Sequence, residues 1–325
     1  MSGLEKLVGL RREKALARIE IAVCKRTGEV CGHTLLTGLG GLGKTELALA
    51  IAEELGYYSI VTEAAALKTR AQIVRRLFSA NELALKAGKP LLLFVDEVQR
   101  LTRPLQEVFY YPMDRSDPRI IEPTDTFHLR SFTLVAATTR QDGLDQASFV
   151  KRFDNIWRIK RYSVDDLIWI LMAYFNGHGY RIGFAHVRYL AIRCLGIPRQ
   201  ANRLAKKVRN VFLASDDSEI SMDHCKMATR LEGLDQIGLE ELHVEYLRIL
   251  VTASGPLGIG GIAGRLGQQV EVVEDTIEPT LLFLGLIDRG SRGRVITPKG
   301  VKHLSVHHET VFRRERKNLE KVLDN

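Results

Sequence analysis

Gly38-Leu39-Gly40-Gly41-Leu42-Gly43-Lys44-Thr45 satisfies G-x-x-x-x-G-K-[ST]; it follows an apolar stretch and opens an amphipathic one, the setting a phosphate-binding P-loop requires. Its glycines let successive backbone N–H groups wrap a phosphate. Lys44 would reach the β- and γ-phosphates as a point charge, and the helix opening near Thr45 would add its N-terminal dipole. The Thr45 hydroxyl would ligate Mg²⁺, and Leu42 and Glu46 complete the expected nucleotide contacts of this loop. About fifty residues on, Leu91-Leu92-Leu93-Phe94-Val95 reads as an apolar strand ending in Asp96 and Glu97. Asp96 can hold Mg²⁺ through water and Glu97 can polarise an attacking water. The same loop also spells G-x-G-x-x-G at Gly38, Gly40 and Gly43, with Glu63 twenty residues beyond at the end of the next strand, which is the dinucleotide fingerprint. An NAD-binding loop needs neither the Lys-Thr pair nor the Asp-Glu strand end, so the residues favour a nucleoside triphosphate. A second glycine cluster, 255–264, follows a helix instead of a strand and reads as a tight interhelical turn.

The elements that must carry these groups alternate. Apolar or amphipathic segments at 33–38, 46–55, 57–62, 73–85, 91–97 and 132–139 predict strand, helix, strand, helix, and so an α/β domain with a parallel sheet covered on both faces. From Ser163, a plausible helix cap, the spacing turns helical: 167–175, 184–195, 199–214 and 222–234 form a small helical domain. Helices at 239–253, around 261–267 and at 270–285, then two short strands around a basic loop within 286–300, outline a winged helix. The resulting division is an ATPase domain at 1–162, a helical lid at 163–236, a winged helix at 237–304 and a charged tail at 305–325 that reads as a solvated helix or frayed end.

The chain has 325 residues, room for two or three cores, and its 45% hydrophobic and 26% charged content is that of an ordinary globular protein. No apolar run approaches the length of a membrane span, and the N-terminus lacks a signal-peptide core. Four cysteines without C-x-x-C spacing suggest neither a disulfide framework nor a zinc ribbon and point to a reducing cytoplasm. A net charge of +8 favours a polyanionic partner such as nucleic acid. His303 and His307 share a face if the tail is helical, but without a third ligand they read as a surface pair; Trp157 and Trp169 read as core.

In the order of its P-loop, Asp-Glu strand and Thr-Thr-Arg segment the chain resembles the RuvB family, the AAA+ motors of Holliday-junction branch migration. The resemblance runs from Leu4 to His303 and includes HTLLTGLGGLGKTELA (33–48), LFVDEVQRL (93–101), FTLVAATTR (132–140), RFDNIWRIKRY (152–162), GIPRQANRL (196–204), EDTIEPTLLFLGLIDR (274–289) and RGRVIT (292–297). It implies that Thr139 is a sensor for the γ-phosphate or lytic water, that Arg152 is an arginine finger inserted into a neighbouring subunit's site, and that Arg199 is the second sensor. It further implies that Tyr162, Leu7 and Val8 pack on adenine and that Arg289, Arg292 and Arg294 face DNA phosphate from the wing. Taken alone, Arg152 would be an ordinary surface cation and Tyr162 a core aromatic. Arg199 follows Pro198 at a helix start, where a cation opposes the dipole and a ligand phosphate would explain it.

The family implies ATP and Mg²⁺, a ring, expected to be hexameric, on duplex or junction DNA, and no membrane. The expected activity is ATP-driven branch migration. The alternative is a nucleotide-switched loader or regulator from a mobile element or phage that recruits another factor without translocating. Several positions depart from the pattern: the P-loop lacks the family's two prolines, Gln99 stands where the family has His, and Met113-Asp114-Arg115 replaces an acidic pair. An Arg-Pro stretch over the adenine is missing. Residues 115–131 form a shortened, charge-rich segment without the glycine-rich hairpin tip that docks the partner RuvA, so a RuvA-type partner is doubtful; Ile120, Ile121 and Phe127 read as folding under the sheet edge, and any partner the segment binds is expected to be a dedicated one.

Overall fold

Alternation along β3 (Leu91–Asp96) sets the layering of the N-terminal half of the protein. Leu91, Leu93 and Val95 enter the core on one face of the sheet, with Ile73, Leu77, Ala80 and Ala84 of α3 (Arg70–Lys86). Leu92 and Phe94 enter the core on the other, with Leu47 and Ile51 of α2 (Lys44–Leu55) and Ala17 and Ile21 of α1 (Arg11–Thr27). Burial on both faces is why the strand is a continuous apolar run, each large side chain contributing about 1.5–3 kcal/mol.

The computed structural model describes residues 3–253 and 255–305, so the tail beyond Ser305 and His307 lie outside the described residues. The chain forms two compact units, 1–205 and 206–325. In the first, β1 (Thr34–Thr37), β2 (Tyr58–Glu63), β3, β6 (Phe132–Thr138) and β7 (Asn155–Arg158) form one parallel sheet in the order β2-β3-β6-β1-β7. Thr37 is in register with Thr138, and Glu63 with Asp96, so the P-loop, the Asp-Glu pair and the Thr-Thr-Arg segment all emerge at one edge, where α/β sheets bind ligands. After α4 (Arg103–Glu107), β4 (Arg119–Ile121) and β5 (Thr126–His128) form a separate short antiparallel hairpin within the shortened segment. Ile120 is buried in the core; Phe127 packs edge-on against Phe78 but, like Ile121, remains exposed, at 38% and 37%.

The sheet is followed by α5 (Val164–Gly177), whose cap Ser163 forms a capping box with Asp166, and by α6 (Phe184–Arg193) packed against it. Trp157 is core, but Trp169 on α5 is 63% exposed, so the expectation that both are buried fails for the second. The division between the two units falls within α7 (Pro198–Leu213), and α8 (Met222–Leu231) follows.

In the second unit, α9 (Glu241–Val251), α10 (Ile259–Leu266), α11 (Val270–Val272) and α12 (Glu278–Phe283) precede the antiparallel pair β8 (Ile287–Gly290) and β9 (Gly293–Ile296). Leu257 adds a third antiparallel bridge, exchanging both backbone hydrogen bonds with Arg294. Tyr246, Leu247, Ile262, Val273, Ile277 and Leu281 fill the core of this winged helix. The second glycine cluster is a turn only in its first half; from Ile259 it is already α10. A π-helical turn, Val273–Ile277, joins α11 to α12, next to Pro279, whose missing N–H cannot continue the α ladder. His303 has a partner of its own: its Nε2 lies 2.8 Å from Asp235 Oδ2, whose other oxygen accepts the Ile237 and Leu239 N–H groups, while its expected pairing with His307 falls outside the described residues. Among the described residues no helix is long and apolar enough to cross a membrane.

Candidate active site

The P-loop leaves β1 at Gly38, where φ is +144° and an added Cβ would stand 2.5 Å from the Ile159 carbonyl, so only glycine fits. Gly41 (φ +79°) is equally constrained: a Cβ there would meet Arg199 Cβ at 2.7 Å, and its carbonyl accepts the Arg199 N–H at 3.2 Å. The loop ends at Gly43, which caps α2, so Lys44 and Thr45 are the helix's first two residues. Lys44 is buried, and its Nζ donates to the Gly38 and Leu39 carbonyls at 2.8 and 2.9 Å. Burial lowers its pKa, against the opposing pull of Asp96 and Glu97.

A cavity of about 470 Å³ lies over this loop. Of the residues singled out in the sequence, Leu7, Val8, Gly40, Gly41, Gly43, Lys44, Thr45, Glu46, Asp96, Glu97, Tyr162 and Arg199 line it. Gly38 and Leu42 serve it through their carbonyls, to Lys44 and to the Tyr162 hydroxyl (3.2 Å). Tyr162 is fixed by that bond and by close approach to Gly9, and burial raises its pKa, so it is a neutral aromatic wall. Ile170, Ala173 and Tyr174 of α5 also line the cavity, as do Leu10 and Asn202, none of which sequence reasoning singles out. The i, i+3, i+4 spacing of the three α5 residues on one helix face is the signal that could find them.

Thr139 is not a wall of the cavity but is tied to it through Gln99. Gln99 Nε2 donates to Glu97 Oε2 at 2.6 Å and to Thr139 Oγ1 at 3.0 Å. Glu97 itself has a left-handed backbone (φ +54°), with its N–H 2.9 Å from Asp96 Oδ1. Arg152 lies apart from the cavity lining of its own chain, exposed at the end of a 3-10 turn, Val150–Arg152, whose Val150 is buried.

On the wing, Arg289 and Arg292 are exposed. Arg294 is not, and its expected place against DNA is corrected by the structure. Its side chain is buried, with Nε 2.6 Å from Glu278 Oε1 and Nη2 3.1 Å from Oε2, and Tyr246 donates its hydroxyl to the same carboxylate at 2.6 Å. A guanidinium committed to a buried carboxylate has no face left for phosphate.

A parallel sheet whose C-terminal edge gathers a P-loop lysine, a strand-ending Asp-Glu pair and a helical layer bearing an arginine over the loop defines an AAA+ P-loop ATPase. Residues 2–159 match the Holliday junction DNA helicase RuvB P-loop domain and residues 236–305 the RuvB C-terminal winged helix domain; the chain belongs to the RuvB family. It is 36% identical over 309 residues to the Holliday junction branch migration complex subunit RuvB of Rubrobacter xylanophilus, covering 93% of this chain and 85% of that one. The corresponding subunit of Lactobacillus gasseri is 34% identical, over 93% of this chain and 89% of its own length. The solved Thermotoga maritima RuvB Holliday junction branch migration motor superposes with a TM-score of 0.82 at 30% identity, over 93% of this chain and 96% of that structure.

Proposed function

We propose that this protein is an ATP-driven motor that assembles as a ring on duplex DNA and drives branch migration of Holliday junctions. The observation that carries this reading is the cavity into which Lys44, the Asp96-Glu97 pair and Arg199 converge, in a chain of the RuvB family. The proposed division is an ATPase domain at 1–162, a lid at 163–236 and a DNA-binding winged helix at 237–304.

ATP would place its phosphates against the P-loop N–H groups, where Lys44 exchanges the Gly38 and Leu39 carbonyls for phosphate oxygens. The adenine would lie against Leu7, Val8 and Tyr162, with Tyr174 on the α5 side. Thr45 and Asp96 both line the cavity and offer oxygen donors, as a hard cation requires, and are the residues that would hold Mg²⁺. The metal held by these two residues would supply charge neutralisation to the β- and γ-phosphates. Glu97 takes the proton of the attacking water, Thr139 orients that water, and Arg199 reports the γ-phosphate to the lid. Arg152 from a neighbouring subunit stabilises charge on the transferring phosphoryl group. Arg289 and Arg292 contact DNA phosphates.

The test is DNA-stimulated ATPase together with strand displacement on a synthetic four-way junction, with and without a RuvA-type protein. ATP-dependent displacement is the expected result. ATP hydrolysis without displacement under either condition would favour the nucleotide-switched loader. The short β4–β5 hairpin buries Ile120 and leaves only Ile121 and Phe127 partly exposed among charged neighbours, a smaller apolar face than a glycine-rich docking tip would give, so stimulation by an ordinary RuvA is expected to be weak.

A further inference from the structure

Gln99 occupies the gap between the ends of two neighbouring strands, β3 with Asp96 and Glu97, and β6 with Thr138 and Thr139. Its amide has only one chemically sensible orientation. Glu97 Oε2, 2.6 Å away, is an acceptor, so the amide nitrogen must face it. The amide oxygen then lies 2.7 Å from the Thr138 hydroxyl, and the second N–H points to Thr139 Oγ1 at 3.0 Å. Because Thr139 accepts this bond, its own proton is free to be donated onward. Gln99 is held by its surroundings: Val98 beside it is buried, and Gly143 packs so closely that a Cβ there would stand 3.1 Å from the Gln99 carbonyl.

We propose that Gln99 is a positioning residue for hydrolysis: its one carboxamide aims the Glu97 carboxylate and sets the direction in which Thr139 donates its hydroxyl proton, so that both groups address one water together. The proposal rests on the ATPase reading above. Fixing one carboxylate oxygen leaves Glu97 Oε1 as the base, and a hydrogen-bonded pair of groups displaced by an ångström loses much of its effect on rate while ATP binding, made by the P-loop, is untouched. Leucine at position 99 keeps the volume and removes both donors. Glutamate keeps the shape but cannot donate and repels Glu97. A neutral histidine has one N–H and one acceptor nitrogen, and so can serve Glu97 and Thr138 together.

The experiment measures steady-state ATPase and binding of a fluorescent ATP analogue for the full chain with duplex DNA. Gln99→Leu and Gln99→Glu are each expected to lower kcat at least about tenfold with analogue affinity changed by less than about twofold, and Gln99→His to recover a large share of the loss. In a Thr139→Val background Gln99→Leu should cost less than it does in the native chain, because one of its two targets is already gone. Native turnover in Gln99→Leu, loss of affinity in step with turnover, or full additivity with Thr139→Val would each overturn the proposal. If Gln99→Leu does not fold, equal turnover in Gln99→Glu and Gln99→His does so. A native chain that does not hydrolyse ATP would instead remove the ATPase reading on which the proposal stands, a failure visible before any variant is made.

Discussion

The Arg152 guanidinium lies over the ring of Tyr110, 4.6 Å from its centroid, and its Nη1 donates to the Tyr110 carbonyl at 2.9 Å. Tyr110 in turn gives its hydroxyl to Asp145 at 2.8 Å, and Asp145 also pairs with Arg103 at 3.4 Å. The cation is therefore exposed, mounted on a braced aromatic and not part of its own chain's cavity lining. For the proposed finger such bracing would help, because a freely rotating arginine would lose its conformational entropy at each encounter.

Arg152→Ala is accordingly expected to lower turnover by about 10³ or more with little change in ATP affinity. Mixing it with Lys44→Ala subunits should restore part of the activity, since some interfaces then join an intact P-loop to an intact finger. Steady-state ATPase across mixing ratios checks this. No recovery at any ratio would place the finger within its own subunit, or nowhere.

Lys44 and Glu97 share the cavity, and the proposed roles divide binding from cleavage between them. Lys44→Ala removes the buried ammonium that the phosphates would displace from the loop carbonyls, and nucleotide binding should be lost. Glu97→Gln keeps the shape and removes only the proton acceptor, so ATP should bind and persist uncleaved, with the protein accumulating as assembled rings. Analogue binding and sedimentation measured side by side separate the two; an equal loss of affinity in both variants would refute the division of roles.

The parts of this architecture that repeat locally are legible in the sequence. The run Leu91–Val95 can be read as a doubly buried strand because both of its faces are apolar, and the P-loop because its glycines are demanded by backbone geometry. Elements whose reason lies elsewhere in the chain are not. Helix α1 buries only Glu13, Ala17, Ile21 and Cys24 among many charged residues, so its apolar face is too narrow to announce itself. Strand β7, Asn155–Arg158, is four residues long and is defined by pairing with β1, more than a hundred residues earlier. Arg294 reads as a wing cation through the family resemblance, together with Arg289 and Arg292; its partners Glu278 and Tyr246 come from α12 and α9, and no local pattern reveals them. Gln99 stands out in the sequence only as a departure from the family, since its bonds to Glu97 and Thr139 exist only once β3 and β6 lie side by side.

The wing arginines should therefore separate into two phenotypes. Arg289→Ala with Arg292→Ala is expected to weaken duplex binding and to flatten the slope of log K against log salt by about 0.9 for each phosphate no longer neutralised, with thermal stability unchanged. Arg294→Ala leaves the Glu278 carboxylate buried without its cation and should cost about 3–5 kcal/mol, enough to unfold the winged helix. Circular dichroism melting and salt-titrated DNA binding on both variants decide the matter. A stable Arg294→Ala protein with a flattened salt slope would return that residue to the DNA-binding surface.

His33 gives the fold a pH dependence whose sign follows from its contacts. Its Nδ1 accepts the Leu134 N–H at 2.9 Å, and its Nε2 lies 3.2 Å from the Met113 carbonyl, so the neutral ring carries its proton on Nε2. A second proton on Nδ1 would point at the Leu134 N–H. Burial lowers its pKa to about 4, against the opposing pull of Asp154. In the unfolded chain the same ring takes its proton near pH 6.5. Below that value the unfolded state binds a proton the folded state refuses, so stability is full above about pH 6.5, falls as pH drops toward about 4, and stops falling below it. Between pH 7.5 and pH 5.0 the native chain should lose about 2 kcal/mol more than His33→Asn, whose amide oxygen can still accept the Leu134 N–H but does not titrate. Urea unfolding of both proteins at the two pH values, followed by a probe in the sheet, isolates this difference because all other titrating groups are shared. Parallel pH dependences would show that His33 is protonated in the fold and that the Leu134 hydrogen bond is made some other way.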